Sequence, residues 1–300
     1  MKPKITALVD VTKPKQTFLL LITYFVAYFV GSKGNFEPLK FLVATMAVFL
    51  TVSGTTALNM WLDRDIDALM SRTRNRPVPS GILSPVECAI YGAILYFIGI
   101  AFATFISFEF VVVLFLGLFF DIIIYTVLLK RRSPYSIVLG GFAGAMPALS
   151  GWVATAGFTL PGFLLAAIVL LWIPSHIWYI SMHYEEDYRV AGIPMYPLVV
   201  GMEKASWAIV AATGFMLMLV TALYIVLPLN IFYPLFSISI TLFFFYRAVK
   251  FAMQPNKMKA KKMYKLASMT LGMIFLSLSL IHISEPTRPL YISYAVFCLK

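Results

Sequence analysis

Long apolar stretches alternate with short polar ones along almost the whole chain. A membrane-spanning helix needs about 20 mainly apolar residues. Nine stretches qualify: 16–32, 39–60, 86–106, 108–129, 135–155, 160–182, 206–227, 231–252 and 264–283. The pattern predicts an all-α fold, a polytopic bundle of nine transmembrane helices. With the N-terminus inside, the inner segments are 1–15, 61–85, 130–134, 183–205 and 253–263. Lys and Arg fall almost entirely on that side, counting residues at the span ends such as Arg247 and Lys265, whereas the outer loops hold only Lys33 and Lys40. By the positive-inside rule this bias predicts a cytoplasmic N-terminus in the cell membrane.

Composition sharpens this picture. The 300 residues are 61% hydrophobic and 12% charged, about half the charge of a soluble domain. The excess of 24 Lys+Arg over 13 Asp+Glu is topological under this reading, and no nucleic-acid partner is expected. Two cysteines give no disulfide or metal framework. The basic run Lys257 to Lys265 reads as an anchor on the anionic inner leaflet. Gly140 to Ala145 offers small side chains for helix packing.

Polar residues concentrate in two inner segments. The first, NMWLDRDIDALMSRTRNR from Asn59 to Arg76, follows the second span. Successive residues of a helix turn by roughly 100°, so Asn59, Asp63 and Asp67 share one face and Asp65 points away. Hard oxygen donors on one face suit Mg²⁺. Arginines beside them suit phosphate. Cation, phosphate and apolar surroundings together point to a lipid diphosphate. The second segment reads SHIWYISMHYEEDYRVAGIPMYP. His176, His183 and Asp187 lie on one helical stripe, with Tyr184 and Tyr188 beside it, and Glu185 and Glu186 off it. The two acidic helix ends are expected to face one cavity. Between them lie Tyr125, Lys130, Arg131 and Arg132; Lys130 and Arg131 are candidates to reach the diphosphate, Arg132 an anchor. Asp121 is left open between helix packing, a cation-site neighbour and proton handling. His176 is read either as a hydrogen-bonded structural residue or as an acceptor contact.

These motifs resemble the UbiA intramembrane prenyltransferase superfamily. Asn59-x-x-x-Asp63-x-x-x-Asp67 is similar to its first aspartate-rich motif. Asn59 to Gly81, Tyr125 to Trp152 and Trp172 to Pro197 resemble its haem-directed branch. The second motif departs from the superfamily pattern, keeping Asp187 with His183 four residues before it. The resemblance implies transfer of a farnesyl group from farnesyl diphosphate to a vinyl group of haem B, giving haem O, with Mg²⁺ as cofactor. It implies catalytic roles for Asn59, Asp63, Asp67 and Asp187, with the metal on Asp63, Asp67 and Asp187. Diphosphate binding then falls to Arg72, Arg76, Lys130 and Arg131, and acceptor or polar-site contacts to His176, His183, Tyr125 and Tyr184. Terminal-oxidase assembly partners would follow, as would an active site on the cytoplasmic side. Alternatives are a prenyltransferase acting on a quinone or chlorophyll-type acceptor, and a transporter. Against a transporter, the acids cluster at one end, and no inverted repeat is evident.

Residues 1–277 are expected to form this intramembrane domain. Leu278 to Arg288, LSLIHISEPTR, resembles the frame translation of a sequencing adapter, and Ile292 to Leu299 resembles its other flank. The segment 278–300 is therefore expected to be a non-native tail.

Overall fold

A computed structural model describes residues 4–279. Among the described residues every regular element is helical. Two helices, α1 (Lys4–Val11) and α2 (Pro14–Ser32), lead into α3 (Pro38–Leu62) and the short α4 (Arg64–Leu69). Next come α5 (Pro85–Ala103) and α6 (Phe108–Leu118), which runs on as a π-helical segment, Phe119–Leu129. The chain continues through α7 (Ser136–Ala156), α8 (Leu160–His183), α9 (Glu185–Val190), α10 (Tyr196–Val200) and α11 (Met202–Val226). A π-turn, Pro234–Ile238, opens α12 (Ser239–Met253), and α13 spans Lys257–Ser279.

Among the described residues, eight helices are long and apolar enough to cross a membrane, and they follow the first eight expected spans. The ninth expected span, 264–283, runs past the described residues; its described part, 264–279, belongs to α13. The expected tail also lies outside them, apart from Leu278 and Ser279.

Local chemistry sets the helix starts. Pro14, Pro38 and Pro85 occupy first-turn positions, where a missing N–H costs nothing. Ser84 and Glu87 close a capping box at the start of α5, with Ser84 Oγ accepting from Glu87 N at 3.1 Å. Large apolar side chains face outward, among them Phe97 at 68% and Ile225 at 78% exposure, which places hydrocarbon rather than water around the bundle.

Close packing of the spans depends on small residues, as expected where apolar burial gives helices no preference for one another over lipid. A Cβ on Gly54 of α3 would lie 2.6 Å from the Gly92 carbonyl oxygen of α5. A Cβ on Gly151 of α7 would lie 2.2 Å from the Tyr24 carbonyl oxygen of α2. Neither backbone oxygen can move aside, so each glycine sets how near two helix axes come.

Polar contacts gather the loops at one end of the bundle. Lys13 reaches Asn59, Arg131 reaches Asp65, Ser71 reaches Asp187 and Lys257 approaches Glu185. The stretches carrying most of the cations are thus neighbours in space, as the alternation of spans requires.

Candidate functional site

A cavity of about 680 Å³ opens at this polar end and runs into the bundle. Asn59, Asp63, Asp67, Arg72, Arg76, Lys130, Lys13 and Asp121 line its polar part. Its inner wall is apolar and includes Leu114, Met146, Pro147, Ile173, Ile177 and Leu271.

The three-residue stripe falls where its spacing predicts. Asn59 lies in the last turn of the long α3, Asp63 sits at the break before α4, and Asp67 lies in α4. All three are buried, Asp63 to 1% and Asp67 to 4% exposure. Asp65 points the other way, its side chain 58% exposed.

Each buried carboxylate has a cation against it. Lys130 Nζ bonds Asp63 Oδ2, leaving Asp63 Oδ1 buried with no hydrogen-bond partner among the described residues. Arg76 Nη1 donates to Asp67 Oδ2 at 2.6 Å. Asn59 Nδ2 donates to Thr126 Oγ1 at 2.8 Å, which turns the Asn59 Oδ1 toward Lys13 Nζ at 3.4 Å. Burial, with the positive Arg76 and Lys130 nearby, pushes the Lys13 ammonium down to about 8. Lys13 is held by backbone in the left-handed region, φ 45°, just before Pro14. A non-glycine residue there is costly, by on the order of 1 kcal/mol or more.

The π-helical segment explains how one strip of the fourth span serves the site. Its bonds run from residue i to i+5, as in Lys130 N to Tyr125 O at 2.7 Å. Residues five apart then stack on one face. Thr126 Oγ1 donates to the Asp121 carbonyl at 2.7 Å, and Lys130 Nζ sits 5.3 Å from the Tyr125 ring centre. Asp121, Tyr125 and Lys130 all line the cavity.

Other expected residues lie elsewhere. Arg131 forks onto Asp65, both contacts 2.6 Å, away from the cavity lining, and this pairing holds the Asp65 carboxyl below the usual range. Asp187 Oδ1 accepts from Ser71 N at 3.2 Å and Ser71 Oγ at 2.8 Å, while its Oδ2 is buried without a partner among the described residues. Asp187 therefore fastens the loop after α4 to α9 instead of lining the cavity, and the neighbour that does line it is Tyr188. No group of three or more His, Cys, Asp and Glu side chains poised for a metal forms among the described residues. This differs from the expected meeting of Asp63, Asp67 and Asp187. The second acidic end is turned by the break between α8 and α9 at Tyr184, which a continuous helical stripe does not anticipate.

His183 packs edge-on to Tyr184, with ring centres 4.6 Å apart, and is not in the cavity lining. Tyr184 lies under the Arg72 guanidinium at 5.6 Å. His176 does line the cavity. Of the off-stripe pair, Glu186 is exposed and Glu185 pairs with Arg189 at 2.6 Å. Lys13 and Thr126 were invisible to the motif reading: Lys13 belongs to no periodic pattern, and Thr126 looks like any small polar residue within a span.

The oxygen-only donors Asn59, Asp63 and Asp67 fit a hard divalent cation. The unpartnered Asp63 Oδ1 is a lone-pair site beside the cavity. The cations Lys13, Arg72, Arg76 and Lys130 fit a polyanion bridging to that ion. Below them the apolar wall fits a hydrocarbon chain.

Known proteins share this construction. The model of the UbiA prenyltransferase family matches residues 20–275. A protoheme IX farnesyltransferase of Archaeoglobus fulgidus is 67% identical over 277 residues, covering 92% of this chain and 98% of that protein. One from Korarchaeum cryptofilum is 45% identical, covering 93% and 95%. Among solved structures, a digeranylgeranylglyceryl phosphate synthase superposes with a TM-score of 0.80 at 22% identity, covering 93% of this chain and 99% of that one. A UbiA homologue from Archaeoglobus fulgidus, bound to DMAPP and Mg²⁺, does so with 0.68 at 14% identity, covering 91% and 99%. Matching almost end to end in sequence and in helical arrangement, the chain belongs to the UbiA prenyltransferase family.

Proposed function

We propose that this protein transfers a farnesyl group from farnesyl diphosphate to a vinyl group of haem B, giving haem O. One observation carries the reading: a single cavity joins a buried acid–base end to a deep apolar interior. The names of the sequence relatives supply the acceptor and the prenyl group. Homologue structures bound to DMAPP or GPP with Mg²⁺ supply the donor class and the cofactor.

Breaking the allylic C–O bond sends its electron pair to the diphosphate. A bound Mg²⁺ would neutralise the charge that develops there. Asp63 and Asp67 would hold that ion, with Asn59 completing the donors. Arg72, Arg76 and Lys130 would grip the diphosphate oxygens, with Arg131 reserved for Asp65 and Asp187 supporting the site through Ser71. Because these groups are already fixed by one another, little reorganisation accompanies ionisation. The apolar wall keeps water from the farnesyl cation until the vinyl group attacks. Water then adds to the resulting cation beside the porphyrin and loses a proton, leaving the hydroxyl.

The charge asymmetry of the loops supports a cytoplasmic orientation of this end, and of the N-terminus, in the cell membrane. Terminal oxidases are the expected consumers of the product. Purified protein in lipid nanodiscs with haem B, farnesyl diphosphate and Mg²⁺ should form haem O and release pyrophosphate. Prenylation of a quinone precursor but not of haem B would replace this acceptor with another.

A further inference from the structure

Resting on the haem-acceptor reading, we infer that His176 binds the acceptor's iron through Nε2, fixing the porphyrin in the cavity. Magnesium and diphosphate do not account for this residue. A hard cation takes oxygen ligands, and an imidazole is a poor substitute. Nor does His176 belong to the polar end. It lies seven residues before the end of α8, about 10 Å along the helix, among Ile173, Ile177 and Leu271 of the apolar wall.

The ring's hydrogen bonds decide which nitrogen is free. Nδ1 lies 3.3 Å from the Tyr264 carbonyl oxygen, which can only accept. It also lies 3.1 Å from Ser268 Oγ, whose own proton goes to that same carbonyl at 3.1 Å. Both partners of Nδ1 are therefore acceptors, so Nδ1 carries the proton and Nε2 keeps a lone pair. No described residue takes up Nε2. A ring N–H given to a backbone carbonyl is the arrangement that orients metal-binding histidines and raises their basicity.

The ring is also held in place. It stacks on Trp172 with ring centres 4.7 Å apart and planes 17° from parallel. Trp172 is fixed in turn, its Nε1 donating to the Ala267 carbonyl at 2.7 Å. Three residues of α13 thus orient a histidine of α8 toward the cavity. Imidazole is a common axial ligand of haem iron. With the iron held there, one edge of the porphyrin can point up the cavity toward Asp63 and Asp67, where the farnesyl cation forms. A single axial imidazole bond exchanges, so the product is free to leave. The bond would also select an iron porphyrin over a flat acceptor that lacks a metal.

The test titrates the full chain in nanodiscs with haem B and follows the Soret and visible bands. Wild type should show an imidazole-ligated spectrum. His176→Ala should lose it, bind haem B at least tenfold more weakly, and regain the spectrum on addition of imidazole. Metal-free protoporphyrin should bind wild type and variant alike. Unchanged Mg²⁺-dependent binding of farnesyl diphosphate would show that the variant is folded. His176→Gln, closer in shape, should behave as the alanine variant does. Haem B bound by His176→Ala with the wild-type spectrum, or bound by wild type without an imidazole signature, would overturn the assignment yet leave haem as acceptor. Failure of wild type both to bind haem B and to form haem O would overturn the two together.

Discussion

Asp63→Asn is expected to lower kcat by about 10²–10³-fold, the scale set by removing one group that stabilises developing charge. Asp63 is the most buried acid of the stripe, and its Oδ1 is buried with no hydrogen-bond partner among the described residues. The amide keeps the shape and loses the charge that a cation needs. Asparagine is the better probe than alanine, because Lys130 lies buried against Asp63 with its side chain only 13% exposed. Removing one member of a buried pair costs on the order of 3–5 kcal/mol by stranding the other. Asp63→Ala should therefore lose folded protein as well as turnover, and Asp63→Ala with Lys130→Met should recover the fold without the activity. Pyrophosphate release against Mg²⁺ concentration, alongside thermal unfolding, separates the two effects. Turnover within tenfold of wild type at saturating Mg²⁺ would remove Asp63 from the metal site.

Arg76→Met should reduce kcat/KM by about two orders of magnitude, a loss of roughly 3 kcal/mol of transition-state stabilisation. Arg76 serves twice: it lines the cavity, and it holds Asp67 at 2.6 Å. A planar fork can bind a carboxylate and a phosphate oxygen together, which a point charge does poorly, so Arg76→Lys should recover little. The contrast is Arg131, whose fork is spent on the exposed Asp65. Arg131→Met should leave the KM for farnesyl diphosphate within about threefold of wild type, as suits an exposed pair. Steady-state kinetics on both variants check this; an equal loss in the two would mean that the bound state redistributes the arginines.

The spans, their common polar end and the Asn59–Asp63–Asp67 face were legible because each rests on a regular repeat. Four-residue spacing is enough to separate Asp65 from its neighbours, and the structure keeps them apart. What escaped were departures from that repeat. Asp187 was read as continuing the His176–His183 stripe, but the chain breaks at Tyr184 and hands Asp187 to Ser71, a partner 116 residues away. Arg131 could be placed near the acids but not assigned among them, since adjacent positions select different carboxylates. Lys13 depends on a left-handed backbone turn that no pattern of apolar positions reveals.

The π-helical run of the fourth span has a cost in adaptability. Its five-residue spacing lets the 121/126 and 125/130 pairs each stack and keeps Lys130 on Asp63. Deleting one residue between Phe119 and Leu129 would let the segment relax to ordinary α-helix and swing its two ends out of phase by about 100°. The helix would still cross the bilayer, but its ammonium group would face lipid and its hydroxyl would lose the amide. Length changes that the neighbouring connections absorb are therefore forbidden here, and this span can diversify only by exchanging side chains.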